Sequence, residues 1–447
     1  MPSAAPSTNP VIFISAGEAS GEHYGALLAA ALQQELARKG ERAELIGMGG
    51  PRMAAAGVEC IVRAEDMAVM GFTEVVLHLP RIYGEFQKLK RAIRARRPSV
   101  AVLIDFPEIH FRLAKLFHEL GIPVIYFVSP QLWAWKQQRI RLVRKYVRRM
   151  LVIFPFEEPF YRERGIAAEF VGHPLAELPR PGITRELFAI ENDLSPACTW
   201  IALLPGSRLT EIRDHLPTML AAARDLTQAA PSAGAAAEYE FLIPLAPTLN
   251  TAQKAAVKRI VERHGTGLTV RLIGDSGAEG AVSPTAGRGP HATNVVARGG
   301  GGDARAALLH ARASVVASGT ATVEAALMGN PFVVVYHVSR VTYAIAKRVV
   351  KVPHVAMVNL IAGKRVVPEL IQHDFTAANI VQQLMRLLPD GPARESMKVE
   401  LGAIQSALRA PAADQSVARP GAIARVAEVV LEELEAGSPA ALAAAQH

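Results

Sequence analysis

At 447 residues the chain is long enough for two to three domains of roughly 150 residues each, with a sizeable core. Half its residues are hydrophobic, 20% charged and 6% aromatic, an ordinary globular composition that excludes a disordered or fibrous chain. With 49 lysines and arginines against 41 acidic residues the net charge is +8, which suggests an anionic partner: nucleic acid, a phosphorylated substrate or an acidic membrane surface.

The only cysteines, Cys60 and Cys198, exclude a disulfide scaffold, and no C-x-x-C or Cys/His cluster offers a zinc site. A reducing cytoplasm is the expected compartment. No apolar run approaches the ~20 residues of a membrane-spanning helix. The opening MPSAAPSTNP has neither a basic residue nor an apolar segment, and reads as a loose tail instead of a signal peptide.

The chain then repeats one rhythm: a short β-branched run, a Gly/Ser-rich turn and an amphipathic helix. VIFISA (11–16) leads into GEASGEHYG (17–25) and a helix with Leu28, Leu32 and Leu36 on one stripe, ending near Gly40. SVAVLID (99–105) precedes a helix around Phe111 to Leu120, closed by Gly121. PVIYFVS (123–129), RMLVIFP (149–155), WIALLP (200–205), EFLIPL (240–245), LTVRLIG (268–274), SVVAS (314–318) and FVVVYHV (332–338) continue it. Continuous apolar strands alternating with helices predict an α/β fold with parallel sheets covered on both faces. Proline-dense GHPLAELPRPGITR (172–185) reads as a linker between two α/β halves, and Gly/Ala-rich 274–303 as a flexible surface insertion. The domain reading is a tail over 1–10, an N-terminal domain over 11–175, a C-terminal domain over 176–435 and a tail over 436–447.

Each strand-to-helix turn carries candidate chemistry beside a plain structural reading. Gly17, Gly21 and Gly25 allow a tight turn and a close approach to a ligand at a helix N-terminus. Their spacing is not G-x-G-x-x-G, and a turn that merely needs glycine explains each of them equally well. Asp105 ends a very apolar strand, where ligand sites of open α/β sheets collect and apolar surroundings suit a general base; the alternative is a helix cap. In LLPGSR (203–208), Ser207 and Arg208 stand just before a helix, where a guanidinium can clamp a diphosphate; the alternative is a surface arginine without such a contact. In ASGTATVEAALMGNP (317–331), Ser318, Gly319 and Thr320 offer hydroxyls and N–H groups to phosphate, and Glu324 a carboxylate to a ribose diol. An N-cap followed by an ordinary helical glutamate explains that segment as well.

SPQLWAWKQQRIRLVRKYVRRM (129–150) starts with Trp133 and Trp135 and continues as a predicted helix. Ile140, Val143, Val147 and Met150 fall on one face, Arg141, Arg144, Lys145 and Arg148 on another. Such a helix suits an anionic membrane surface, or docks on the core with its charges in water. Phe72, Val75, Val76, Leu79, Ile82, Tyr83 and Phe86 recur at helical spacing across Pro80, as core or as a lipid-touching patch. His110 and His173 flank loops, and one histidine per loop is a weak sign of catalysis. No D-x-D pair or His/carboxylate cluster suggests a metal. Basic residues without interleaved aromatics, outside Trp133 and Trp135, make nucleic acid the weakest partner.

Together AGEASGEHYGALL, GMGGPRM, MAVMGFTEV, IDFPEIHFRLAK, YFVSPQLWAWKQQRI, FPFEEPFY, VGHPL, LLPGSRLTEI, SGTATVEAALMGNPFVVVYHVSRVTYAIAKRVVK and NLIAGKRVVPELIQ, in order from about residue 14 to 376, resemble the lipid-A-disaccharide synthase family. The resemblance implies a GT-B architecture, two Rossmann-like domains with parallel sheets facing a central cleft, working without metal or cofactor. It implies transfer of 2,3-diacylglucosamine from its UDP conjugate to 2,3-diacylglucosamine 1-phosphate (lipid X). The products are the β-1,6 disaccharide 1-phosphate and UDP. Asp105 is then the base and Arg208 a catalytic group. Ser207, Arg208, Ser318, Gly319, Thr320, Glu324, Asn359 and Glu369 bind the UDP-sugar, and Gly17, Glu18, Ser20 and Gly21 face the acceptor. The family usually carries a second Asp where this chain has Glu108, so Glu108 is given no role. A cytoplasmic protein held peripherally at the inner face of the inner membrane is implied, as a possible homodimer. The rivals are another GT-B UDP-sugar enzyme, an epimerase or peptidoglycan glycosyltransferase, and a non-enzymatic membrane-surface module.

Overall fold

Val, Ile and Leu runs without polar alternation cannot leave one face to water, and the chain buries them between layers of helices. The computed structural model describes residues 9–67, 72–229, 238–274, 294–297, 304–339, 343, 352–410 and 421–436, with 72–79 and 294–297 described in backbone course alone. The chain forms two compact units, Met1–Glu177 with Leu408–His447, and Leu178–Ala407.

The sheet of the first unit is built from β1 (Val11–Ala16), β2 (Glu44–Gly49), β3 (Glu59–Arg63), β4 (Val100–Ile104), β5 (Val124–Phe127), β6 (Arg149–Val152) and β7 (Ala168–Phe170). All pairs are parallel, in the order β3-β2-β1-β4-β5-β6-β7. The second unit holds β8 (Thr199–Leu204), β9 (Tyr239–Pro244), β10 (Thr269–Ile273), β11 (Asn294–Ala297), β12 (Ala313–Ala317), β13 (Phe332–Tyr336) and β14 (Glu369–Ile371). These too are parallel, ordered β11-β10-β9-β8-β12-β13-β14. In each sheet the strand order reverses beside the unit's first strand, between β1 and β4 and between β8 and β12. Loops leaving such a pair diverge to opposite faces and open a crevice at the strands' carboxyl ends.

All nine strands predicted from apolar runs are present, and the helix Ala19–Arg38 buries Leu28, Leu32 and Leu36 as its stripe requires. The other five, β2, β3, β7, β11 and β14, are short or mix glycine and charge into their runs (ELIGMG, ECIVR, AEF, NVVA, ELI), which hides them from a hydrophobic scan.

Four expectations are corrected. The stretch 176–435 is not one domain: the helix Ala422–Ala436 packs on the helix Ala19–Arg38 and on β4, burying Val426, Val429 and Val430 in the first unit. Glu433 on that helix accepts from Arg148 Nε at 2.6 Å, and Arg425 Nε donates to Glu169 at 2.7 Å. The expected linker is partly built into the same unit. Gly172 has φ +91 with Ala410 N where a Cβ would go, His173 N donates to Leu408 O at 2.8 Å, and Glu177 accepts from Ala422 N. The long helix expected in 129–150 is a 3-10 turn, Gln137–Arg139, and a short helix, Ile140–Tyr146, before β6 begins at Arg149. Ile140, Val143 and Met150 are core, so that face is docked. Within the expected insertion, Asn294–Ala297 is an edge strand paired with β10, while 275–293 and 298–303 lie outside the described residues.

The apolar stripe sits on one helix, Phe72–Arg96, with Pro80 inside it. Leu89 and Ile93 farther along it are wholly buried, Ile82 and Phe86 pack against the core, and Tyr83 is 65% exposed. The side chains of Phe72, Val75, Val76 and Leu79, and the tail residues 1–8 and 437–447, lie outside the described residues. Among the described residues no helix is long and apolar enough to cross a membrane. The placement of the last helix has a direct test. Val430→Asp buries an unpaired carboxylate and is expected to cost roughly 3 kcal/mol or more. Hydrogen exchange should then lose protection in β1 and β4 while β8 and β12 keep theirs; uniform loss, or none, would detach this helix from the first unit.

Candidate active site

β4 is followed by two consecutive left-handed residues, Asp105 (φ +52) and Phe106 (φ +48). Neither is glycine, and such backbone costs of order 1–3 kcal/mol per residue unless its surroundings hold it. Asp105 N still completes the ladder to Phe127 O at 3.1 Å, so the turn begins at the last hydrogen bond of the sheet. The Phe106 ring then lies over Gly17, where any Cβ would collide with it. This close approach is why the turn after β1 needs glycine at 17. Gly21, by contrast, makes only ordinary contact with Ile104.

Asp105 is half-buried, and loss of water pushes its carboxyl up to about 7. The negative charge of Glu18 pushes the same way, and a hydrogen bond from Phe106 N–H partly opposes both. The helix Pro107–Glu119 has Phe106 at its N-cap and no side-chain cap, so the carboxylate is not spent as a helix cap. Glu18 and Ser20 are exposed at the start of the helix after β1. The first-unit candidates therefore meet at the β1/β4 reversal of strand order.

Glu108, three residues on, is a different kind of carboxylate. Arg139 grips it through Nη1 at 3.0 Å and Nη2 at 2.7 Å, with Lys136 Nζ at 2.9 Å, and these cations hold it down to about 2. It is a permanent anion tying the 131–139 segment to the helix after Asp105, and it is no proton carrier near neutral pH. Trp133 of that segment is buried and donates Nε1 to Glu157 at 3.1 Å. Glu157 also accepts from Phe154 N at 3.1 Å, and burial pushes it up to about 8. Glu22 accepts from Arg52 N at 2.6 Å and Met53 N at 3.2 Å, fixing the GMGGPRM turn after β2. Glu22 and Glu157 are braces that the motif reading passed over; the sign was a glutamate inside an otherwise small or apolar run.

In the second unit, β8 is followed by Pro205, Gly206 (φ +130), Ser207 and Arg208, before the helix Leu209–Ala229. Glu211 turns back onto this loop: Oε2 accepts from Ser207 N at 3.1 Å and Arg208 N at 3.4 Å, and Oε1 meets Arg208 Nη1 at 3.3 Å. The loop is thus shaped around an anion, at present its own carboxylate. His215 on the same helix is buried, with Nδ1 2.7 Å from Pro205 O and Nε2 accepting from His337 N at 3.1 Å. It ties the end of β8 to the end of β13. At the end of β12, Ser318 N donates to Val335 O and Gly319 (φ +152) leads exposed Thr320 into the helix Thr320–Met328, with Glu324 half-buried one turn along. Loops 205–208 and 318–320 flank the β8/β12 reversal.

Asn359 and Glu369 join this cluster through the 355–356 backbone. Glu369 accepts from Val355 N, Ala356 N (2.9 Å) and Asn359 Nδ2 (2.8 Å), while Ser318 Oγ donates to Val355 O at 3.3 Å. Asn359 is wholly buried: Nδ2 also donates to Val367 O, and Oδ1 accepts from Val366 N and Val367 N. Both its amide hydrogens and both lone pairs are used. With these bonds Asn359 braces the segment that carries Val355. Among the described residues no group of three or more His, Cys, Asp or Glu is placed to hold a metal ion.

A family model for lipid-A-disaccharide synthetase matches residues 12–258 and 293–417. The unmatched stretch between them overlaps the Gly/Ala-rich 274–303. The chain is 55% identical to a lipid-A-disaccharide synthase of Acidobacterium capsulatum, over 96% of this chain and 98% of that one. It is 45% identical to one of Koribacter versatilis, over 92% and 96%. Among solved structures it is similar in fold to the glycotransferase of kitacinnamycin, with a TM-score of 0.56 at 16% identity over 96% of this chain and all of that one. The two doubly wound sheets are those of GT-B glycosyltransferases, and the chain belongs to the lipid-A-disaccharide synthetase family.

Proposed function

We propose that the chain performs the reaction for which its relatives are named. It moves 2,3-diacylglucosamine from its UDP conjugate onto 2,3-diacylglucosamine 1-phosphate, giving the β-1,6 disaccharide 1-phosphate and UDP. GT-B folds serve other UDP-sugar enzymes, so fold alone does not choose among them. The nearly full-length family match favours this reading over an epimerase or a binding module. The single observation that carries the mechanism is Asp105: a carboxyl at the β1/β4 crevice, outside the helix cap and held near 7.

In this reading the acceptor hydroxyl oxygen attacks the anomeric carbon as the bond from that carbon to the UDP oxygen breaks. Ionised Asp105 takes the hydroxyl proton, and its raised pKa makes it a stronger base than an ordinary carboxylate. The bonding pair leaves with UDP. Its charge is met by the Arg208 guanidinium, by Ser207 and by the N–H groups opening the helix after Ser318–Thr320. Glu211 supports this assignment, because a loop that already wraps a carboxylate is preorganised for phosphate. Glu324 is assigned to the ribose, and Gly17, Glu18, Ser20 and Gly21 to the acceptor. Glu369 acts through the Val355 backbone. No metal is assigned a role.

The acyl chains of both substrates stay in the bilayer, which places the enzyme peripherally on the inner face of the inner membrane. The net charge of +8 supports attraction to anionic lipid. Tyr83 and Trp135 are exposed aromatics of the first unit, at 65% and 40%, and Lys136 Nζ sits 4.1 Å from the Trp135 ring centre. Aromatic and cationic side chains together suit the headgroup region.

Four outcomes are expected. Asp105→Asn should lower disaccharide formation by ~10²–10⁴-fold with UDP affinity kept. In the unaltered protein kcat/KM should fall as pH drops below about 7, where Asp105 becomes protonated. Activity within a few-fold of the unaltered protein would remove Asp105 from the chemistry. Arg208→Ala should weaken UDP binding in calorimetry by about 1.5–3 kcal/mol, the worth of a charge-assisted contact; unchanged affinity would exclude it from the diphosphate site. Trp135→Ser with Tyr83→Ser should reduce the salt-resistant fraction that sediments with anionic vesicles, since salt screens only the charge contribution. Sedimentation equal to the unaltered protein would move the membrane contact elsewhere.

A further inference from the structure

His110 is wholly buried on the helix Pro107–Glu119, yet both its ring nitrogens reach polar atoms at strand ends. Nδ1 lies 2.6 Å from the Asp105 carbonyl oxygen and Nε2 lies 2.8 Å from Ser15 Oγ. A carbonyl only accepts, so Nδ1 carries the ring proton. Burial pulls the imidazole down to about 4, so at neutral pH Nε2 is bare and accepts from the Ser15 hydroxyl. The same Asp105 carbonyl takes a second hydrogen bond from the Tyr126 hydroxyl at 2.7 Å. Ser15 belongs to β1 and Tyr126 to β5, the two neighbours of β4, so the peptide after Asp105 is fastened from both sides.

That peptide has a second end. Its N–H is the Phe106 N–H, and its carbonyl carbon is bonded to the Asp105 Cα from which the carboxylate projects. Peptide planarity couples the two: fixing the carbonyl direction fixes the peptide plane and the ψ of Asp105, and with it the backbone that aims the carboxylate. Glu18 is the charged group acting on that carboxylate from the turn after β1.

We propose that His110, with Ser15 and Tyr126, is the positioning apparatus of Asp105, setting the carboxylate by clamping the carbonyl of the same residue in its left-handed turn. The inference rests on the reading of Asp105 as the general base. His110 makes no contact with substrate in it and transfers no proton; it acts through one peptide group.

Isosteric substitution separates its two nitrogens. His110→Asn keeps a donor near the Nδ1 position, and His110→Gln keeps a polar atom near the Nε2 position only. Steady-state disaccharide formation would be measured across pH for H110N, H110Q, Y126F, D105N and the double variant D105N/H110Q. H110N should stay within about threefold, whereas H110Q should lose about 10²-fold in kcat with UDP affinity and KM little changed, the scale of a misplaced catalytic group. The acid limb of kcat/KM in H110Q should move away from its position near 7, because the surroundings that set the Asp105 carboxyl change with its backbone, whereas a merely structural role leaves the limb in place. H110Q should add little further loss on top of D105N, because both act on one carboxylate. A normal rate and unmoved limb in H110Q, or full additivity with D105N, overturns the positioning. If H110Q fails to fold, Y126F removes a single oxygen and must show the same limb shift with a severalfold rate loss; an unmoved limb there overturns it as well. The base reading is judged apart, by D105N alone: near-normal activity there sinks that reading whatever H110Q does.

Discussion

The candidate site of the first unit depends on one peptide group, between Asp105 and Phe106, turned left-handed at the end of β4. The sheet supplies the last ladder bond at Asp105 N, and from there the chain departs from strand geometry at two consecutive non-glycine residues. Such a conformation persists only where its surroundings over-determine it. Gly17 clears space for the Phe106 ring, Tyr126 and His110 take both lone pairs of the Asp105 carbonyl, and Glu108 anchors the neighbouring segment through Arg139 and Lys136. With the backbone held, the carboxyl faces partly apolar surroundings instead of open water, and its affinity for a proton rises.

The second unit solves a related problem with related parts. The 205–208 loop wraps the Glu211 carboxylate, and it too is anchored by a buried histidine whose Nδ1 meets a carbonyl at a strand's end. His215 there joins Pro205 to His337, as His110 joins Asp105 to Ser15. In both units the anchored loop follows a central strand, at the reversal of strand order. Glu211 keeps the loop's N–H groups satisfied, which matters because donors aligned toward one point repel each other without an anion.

The fold was largely legible in the sequence because uninterrupted runs such as VAVLI and FVVVY have one stable destination, a parallel sheet between helices. Short strands such as AEF and ELI carry no such signal, and the return of the helix Ala422–Ala436 to the first unit depends on contacts hundreds of residues apart. Asp105, Ser207, Arg208 and Ser318–Thr320 could be named from residue type and place at a strand's carboxyl end. The bracing residues could not. His110 reads as one more loop histidine until its two nitrogens are seen to span β1 and the end of β4. The family motif marks Asn359 as well, while the bracing by its saturated buried amide is visible only in three dimensions.

The charge state of Asp105 is the point on which the chemical account rests, and it can be read without turnover. Carboxyl carbons of aspartate labelled with carbon-13 shift on protonation, and the Asp105 signal is identified by its disappearance in D105N. A titration midpoint near 7 that moves when His110 is replaced by glutamine is the predicted result. A midpoint near 3.9 in the unaltered protein would contradict it, leaving Asp105 an ordinary solvated carboxylate.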